Sequence, residues 1–326
     1  EVRFTAVRLR SRQGDLAGDG RIRRRAGAVP AVEARLRSDR LDADALFPPA
    51  RSDRTPFSLD TPLPFARLRG PDLSLDWRIA HLNWHAQDWS GLHPVLFLRD
   101  AALDLSLPDG LLRGRLIADG AKTAPPVSLV LGTPDLPLPV LAEFAKLPGP
   151  VTGTLAIDTK LSGRGDTPRA LLSTLDGTLS VSTAGASLSD AALGKLAGPA
   201  ITLLGSTLPA DGRTPIRCFG ISGGFANGVG RFPTIALSSP PLTLSGSGEI
   251  DLVHDTLLLR LHPLAKVLGS RVSVPVVVDG SLSAPHGRLD ADGLDKVGIA
   301  LDALFGGDHP RTCSQAGLSP SAAANP

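Results

Sequence analysis

The chain alternates between apolar and polar positions far more often than it repeats every three or four residues. Leu73-Ser74-Leu75-Asp76-Trp77, Leu103-Asp104-Leu105-Ser106-Leu107, Thr178-Leu179-Ser180-Val181-Ser182 and Leu242-Thr243-Leu244-Ser245 all change character at every step. Thr154 to Leu161 does the same and puts Leu155, Ile157 and Leu161 on one side. A period of two predicts strands with one apolar and one wetted face. Residues 2–10 open in the same way. Turn signals fall between such runs: Pro108-Asp109-Gly110, Asp119-Gly120, Asp176-Gly177, Asn227-Gly228 and Asp279-Gly280. A loose repeat, a glycine followed one residue later by an alternating run, starts at Gly114, Gly153, Gly177, Gly248 and Gly280. Together these predict a mainly β chain built as an antiparallel meander of successive hairpins.

Helical signals are few and short. Leu138 to Leu147 reads as a turn or two stopped by Pro148-Gly149. Thr167 is placed to cap a helix with Pro168 in its first position, running to Leu175. Ser189-Asp190 opens another through Leu196, and Leu294 to Leu304 a last one ended by Gly306-Gly307. The tail, residues 308–326, is polar and expected to be mobile apart from Cys313.

Composition narrows the classes of function. With 326 residues and 42% hydrophobic content the chain can bury a sizeable core. Basic and acidic residues nearly balance at 34 and 32, which argues against nucleic-acid binding. The first 54 residues are the exception, with 13 Arg against 8 Asp plus Glu. Their sharpest cluster, Arg21, Arg23, Arg24 and Arg25, reads as a solvated strand face or as a surface attracted to anionic lipid headgroups. Aromatic residues are 4%, too few for stacking platforms in number. No run of 18 apolar residues is present. The absence of methionine suggests a processed chain or an excerpt. Cys218 and Cys313, the two cysteines, cannot build a cysteine-rich zinc site or an iron–sulfur cluster. They are two thiols or one disulfide, and their isolation favours a disulfide and an oxidising compartment.

Candidate catalytic motifs are weak in context. Gly220-Ile221-Ser222-Gly223-Gly224 matches a nucleophile elbow, but that device needs a strand, a strained turn and a helix. Here Phe225-Ala226-Asn227-Gly228 follows, which reads as strand and turn. Arg164-Gly165-Asp166 reads as a turn. His81 and His85 on one strand lie about 13 Å apart, too far for a shared zinc. No phosphate-cradling glycine loop occurs, and no cofactor or metal site is expected.

The ordered series from Pro215 onwards is the most specific feature. It runs through Ile216-Arg217-Cys218-Phe219, Phe225-Ala226-Asn227-Gly228, Leu237-Ser238-Ser239-Pro240-Pro241-Leu242 and Gly246-Ser247-Gly248-Glu249-Ile250-Asp251. Leu257-Leu258-Leu259-Arg260-Leu261, Val274 to Leu282, a final helix and Cys313 follow. This order resembles the C-terminal part of the AsmA family of bacterial envelope proteins. Upstream, Arg37 to Asp42, Leu161 to Gly165 and Leu172 to Gly177 are also similar, so the resemblance covers most of the chain. It implies a long curled antiparallel sheet with a hydrophobic groove and a few short α-helices. It also implies a periplasmic location, an N-terminal inner-membrane anchor not contained in this sequence, and a part in moving phospholipid towards the outer membrane. The family often carries cysteines where Cys218 and Cys313 stand, which implies that they pair. The implied division is residues 1–54 as the end of an upstream β-segment, 55–307 as the groove, and 308–326 as the tail.

A strand with one apolar face needs another layer or a ligand over it. Four short helices cover little, so alternation alone leaves a closed sandwich and an open groove both available; the resemblance favours the groove. The lining residues chosen by alternation are Leu155, Ile157, Leu161, Leu179, Val181, Leu242, Leu244, Leu257, Leu259, Leu261, Val272, Val274 and Val276. Three functions follow: a non-enzymatic phospholipid conduit, an assembly factor contacting outer-membrane proteins through strand edges, and a hydrolase using Ser222.

Overall fold

The computed structural model describes residues 1–24, 27, 29–46, 58–84, 87–144, 146–192, 212–240, 242–267, 270–273 and 275–290. Along the chain come β1 (Val2–Ser11), β2 (Gly14–Arg23), β3 (Ala31–Asp42), α1 (Ala43–Leu46), a 3-10 turn (Phe65–Leu68) and β4 (Asp72–Trp84). Then follow β5 (Gln87–Leu92), β6 (Val95–Arg99), β7 (Ala102–Leu107), β8 (Arg113–Asp119), β9 (Pro126–Pro137) and α2 (Leu138–Phe144). The middle holds β10 (Val151–Thr152), β11 (Thr154–Arg164), α3 (Pro168–Ser173), β12 (Asp176–Ser189), β13 (Arg213–Ala226) and β14 (Val229–Ser238). The last are β15 (Leu242–Asp251), β16 (Thr256–Val267), β17 (Ser270–Ser273), β18 (Val276–Ser281) and β19 (Ala284–Leu289).

The protein is mainly β, and its strands belong to one large mixed sheet that is not closed into a barrel. Among the described residues helix amounts to 9%, too little to form a complete second layer over them. The sheet is mixed rather than wholly antiparallel because β3 runs parallel to β4 from Ala31↔Asp72 to Asp42↔Asn83. Parallel neighbours need a long crossover, which residues 43–71 supply.

The chain divides into two compact units. The first is Glu1–Thr133 with Thr159–Asp176, and the second is Pro134–Asp158 with Gly177–Pro326. In the first, β1–β2–β3 form antiparallel hairpins and β4 serves two partners. Its C-terminal half pairs with β5 and its N-terminal half with β6, after which β6, β7, β8 and β9 meander. Thr167 caps α3 as its sequence requires: its hydroxyl accepts the Ala170 N–H at 3.2 Å, and Pro168 follows.

In the second unit, β12 to β16 are antiparallel neighbours, and β16 also pairs with β17 and β18. Their inner face packs Phe232, Ile235, Leu261, Val276 and Val278, with Leu179, Ile221, Phe225, Leu244, Ile250, Leu257 and Leu259 against them. Phe225 and Phe232 meet edge to face at 5.6 Å. Leu259 and Leu261 lie opposite Gly248 and Gly246, whose missing side chains leave them room. A Cβ on Gly246 would stand 2.9 Å from Leu261 Cδ2. Ser189 opens a helix at residues 190–192 by accepting the Ala192 N–H at 3.1 Å. The rest of that helix, the expected helix at 294–304 and the tail at 308–326 lie outside the described residues.

Two expected turns are strand instead. Asp176 and Gly177 begin β12. Asp279 and Gly280 remain in β18, opposite His286 and Pro285, with Arg288 bonded to Asp279 at 3.0 Å across the pair. The chain reverses two residues later, where the Ser281 hydroxyl accepts the Ala284 N–H at 3.0 Å. Asn227-Gly228 does form its turn, with φ of 49° and 78°. Two consecutive positive φ angles match the twist of a tight hairpin.

Candidate functional site

In the first unit, the register places apolar side chains in continuous rows across the strands. One row runs Ala34, Leu75, Leu96, Leu105, Leu116 and Leu129 from β3 to β9. Its neighbour runs Val32, Leu73, Leu98, Leu103, Ala118 and Val127 through the same strands. Phe4 and Gly20 extend the first row on to β1 and β2, and Val2 and Ile22 extend the second. All the leucines in these rows are half-buried rather than sealed. The first unit's described helical segments are α1, the 3-10 turn and α3, each of six residues or fewer, and cannot cover such a face. Ser38, fully buried, marks the end of the rows by accepting the Trp77 indole N–H at 3.1 Å.

Over β1–β3 this face is hollowed into a concavity of about 320 Å³. Phe4, Val7, Ile22, Val32 and Leu36 line it, with the small residues Gly18, Gly20 and Ala34 between them. Asp19, Arg21 and Glu33 also border it, from register positions belonging to the opposite face.

The opposite face is charged and largely self-neutralised. Glu33 accepts from both Arg21 and Arg23, and these guanidinium groups hold its carboxyl below the usual carboxylate range. Arg21 and Arg23 of the basic cluster are therefore engaged; Arg25 lies outside the described residues. Arg115 binds Asp104 through two bonds of 2.8 and 2.5 Å and lowers its pKa. A second concavity, of about 550 Å³, opens among Arg3, Asp19, Arg21, Glu33, Arg35 and Asp76 on this side. Its three cations face three acids, so it carries no net charge for a ligand to read.

His93, between β5 and β6, ties the meander together. Its Nε2 lies 2.9 Å from Asp76 of β4, and its Nδ1 3.1 Å from Asp109 in the β7–β8 turn. The Asp109 hydrogen bond raises the imidazole pKa most, and Asp76 adds to it against the opposing effect of burial.

The lining residues chosen from the sequence are spread over both units. Leu179, Leu244, Leu257, Leu259, Leu261 and Val276 all join the packed cluster of the second unit. Leu261 and Val276 are 7% and 1% exposed, so they offer almost no surface to a ligand. Leu155 is buried as well, whereas Ile157, Leu161 and Val181 are half-buried. Leu242 and Val272 fall in β15 and β17, but their side chains, like all of Val274, lie outside the described residues. The half-buried leucines of β4 to β9 were readable as strand positions at Leu73 and Leu103. What the sequence did not reveal was that six strands keep one register.

Ser222 sits inside β13, opposite Ser180 and Thr234, with no turn-to-helix elbow around it. His81 bonds Asp88 at 3.0 Å, and His85 lies outside the described residues. Among the described residues no cluster of three potential metal ligands occurs, and no helix is long and apolar enough to cross a membrane. Cys218 is disulfide-bonded, while Cys313, its expected partner, lies outside the described residues. The chain matches no protein-family model, no curated protein and no solved structure.

Proposed function

We propose that this protein is an AsmA-like lipid-binding protein that holds the acyl chains of phospholipid on the apolar face of its open sheet. The observation that carries the reading is the in-register array of half-buried leucines on β4 to β9, without a covering helix layer among the described residues. Ten methylene groups laid along such rows gain roughly 8 kcal/mol, at ~0.8 kcal/mol each. Immobilising the lipid costs at least about 4 kcal/mol, which leaves an affinity suited to carriage and release. The role is binding and transfer without catalysis, between the inner and outer membranes. A disulfide-bonded Cys218 suits an oxidising compartment such as the periplasm.

The test is mass spectrometry of lipid extracted from the purified protein, with Leu96→Asp and Leu105→Asp beside the parent. Phospholipid in the parent and its loss in both variants are expected. Lipid-free parent protein, or full lipid occupancy in folded Asp variants, defeats the reading. Ile157→Asp, run in parallel, tests whether the half-buried sequence candidate belongs to the same surface.

A further inference from the structure

Charge matching on the polar side of the first unit fails from the middle of β3 and β4 towards their C-terminal end. Two rows of the β1–β4 sheet are compensated: Arg3 and Arg21 stand opposite each other, but Arg3 pairs with Glu1 at 3.7 Å and Arg21 with Glu33, and Arg35 stands between Asp19 and Asp76. The next row is Arg8, Ala17, Arg37 and Arg78. Arg37 and Arg78 are directly opposite each other, an arrangement that is destabilising unless an anion lies over it. Ala17 places no side chain between Arg37 and Arg8, so three guanidiniums share a row spanning about 14 Å.

Arg12 and Arg40 add to this end, as does Arg10, which stands opposite Asp15 and helps hold that carboxyl below its ordinary value. All six arginines are exposed, and none makes an ion pair with a described residue. Asp15, Asp39, Asp42 and Asp44 are the acids nearby, fewer than the cations. Asp15 is turned to the backbone N–H groups of Asp39 and Arg40, at 3.0 and 2.8 Å, and Asp42 to that of Ala45 at 3.0 Å. His81 at this end is occupied by Asp88.

A second, independent feature lies at the same end. Asp42 pairs with Asn83, so the end of β3, α1 and the last residue of β4 are neighbours. There Trp84, whose ring packs on that of Trp89 at 6.2 Å, is 40% exposed, and Leu46 45%. Trp84 lies six residues beyond Arg78 on the same strand and face, about 20 Å along it, so an indole, an apolar side chain and arginines share one side, the composition of a surface that sits in the headgroup region of a bilayer. The arginines meet lipid phosphates and the ring enters the interface. A soluble polyanion would have no use for the exposed Trp84 and Leu46.

We propose that this end of the first unit docks on an anionic bilayer surface through Arg8, Arg37 and Arg78, with Trp84 entering the interface. Docking is independent of whether the apolar face carries lipid. The measurement is co-sedimentation of the whole chain with vesicles of phosphatidylcholine alone and of phosphatidylcholine with phosphatidylglycerol. Binding to the anionic vesicles only, weakening as salt is raised, is expected. The variant R8Q/R37Q/R78Q binds them about a hundred-fold more weakly, at roughly five-fold per arginine. It folds, since it removes repulsion rather than a contact, and its melting curve checks this. Brominated lipid quenches tryptophan emission in the parent, and less so in Trp84→Phe, where Trp77 and Trp89 remain. Equal binding to both vesicle types, or an unweakened triple-arginine variant, overturns the proposal. Leu105→Asp leaves docking intact while emptying the apolar face, so failure of one reading is seen separately from failure of the other.

Discussion

Replacing His93 by glutamine removes the one charge that Asp76 and Asp109 share. Both ring nitrogens face carboxylates, at 2.9 and 3.1 Å, and only the imidazolium donates from both. The His93 side chain is 12% exposed, but Asp76 and Asp109 are 43% and 67% exposed, so solvent weakens each attraction. Charged hydrogen bonds are worth about 1.5–3 kcal/mol when sheltered and under about 1 when exposed, which places the pair near 1–2 kcal/mol. Because the folded-state pKa is raised, this contribution is complete below the unfolded value of about 6.5. It is lost as pH climbs through the folded value. Urea unfolding of parent and His93→Gln at pH 5.5 and pH 8.5, followed by tryptophan emission, separates this term from every other titration. The variant's deficit is expected to be about 1–2 kcal/mol at the lower pH and to shrink at the higher. A deficit equal at both pH values, or larger at pH 8.5, refutes the doubly bonded imidazolium. So does an NMR titration of His93 with a midpoint at or below the ordinary histidine value.

Other outcomes follow from the packing. Phe232→Ala, at a side chain 2% exposed, is expected to cost about 3–5 kcal/mol in denaturant unfolding. Gly246→Val drives a side chain against the Arg260 carbonyl oxygen and Leu261 and lowers stability by about 1–3 kcal/mol, read as a fall in melting temperature. Thr167→Ala removes the α3 cap and costs about 1 kcal/mol by the same assay. Asp15, whose pKa is lowered by the backbone N–H groups of Arg40 and Asp39, contributes above the unfolded carboxylate value and ceases to as pH falls through the folded one. Asp15→Asn is therefore expected to destabilise at neutral pH and to approach the parent only as pH falls through the lowered folded-state value in an acid titration.

Strand character was legible wherever alternation was strict, because a two-residue period has a single structural meaning. The caps at Thr167 and Ser189 were legible for the same local reason, since hydroxyl and helix start lie within three residues. Asp279-Gly280 misled because the Val276–Val278 run and the Arg288 pairing across the sheet outweigh a local turn preference. Register was the larger omission. Leu259 and Leu261 look like groove residues until Gly248 and Gly246 are seen opposite them, where the leucines lean over and pack. The arginine run looked continuous until Glu33, ten residues or more along the chain, took up two of its members. Partners set by sheet pairing are invisible to a reading that moves along one strand at a time.

The parallel seam between β3 and β4 also has a temporal side. The meander from β6 to β9 closes through short local loops, and such hairpins form in about 1–10 microseconds. The seam must first close residues 43–71, at an entropic cost roughly 2 kcal/mol above that of a two-residue turn. During synthesis, β1–β3 emerge ahead of β4, and they wait as a three-stranded ribbon whose β3 edge, later sealed by β4, is still open. Assembly thus has a natural pause, and a chaperone or an intruding strand would meet the nascent protein at the edge of β3.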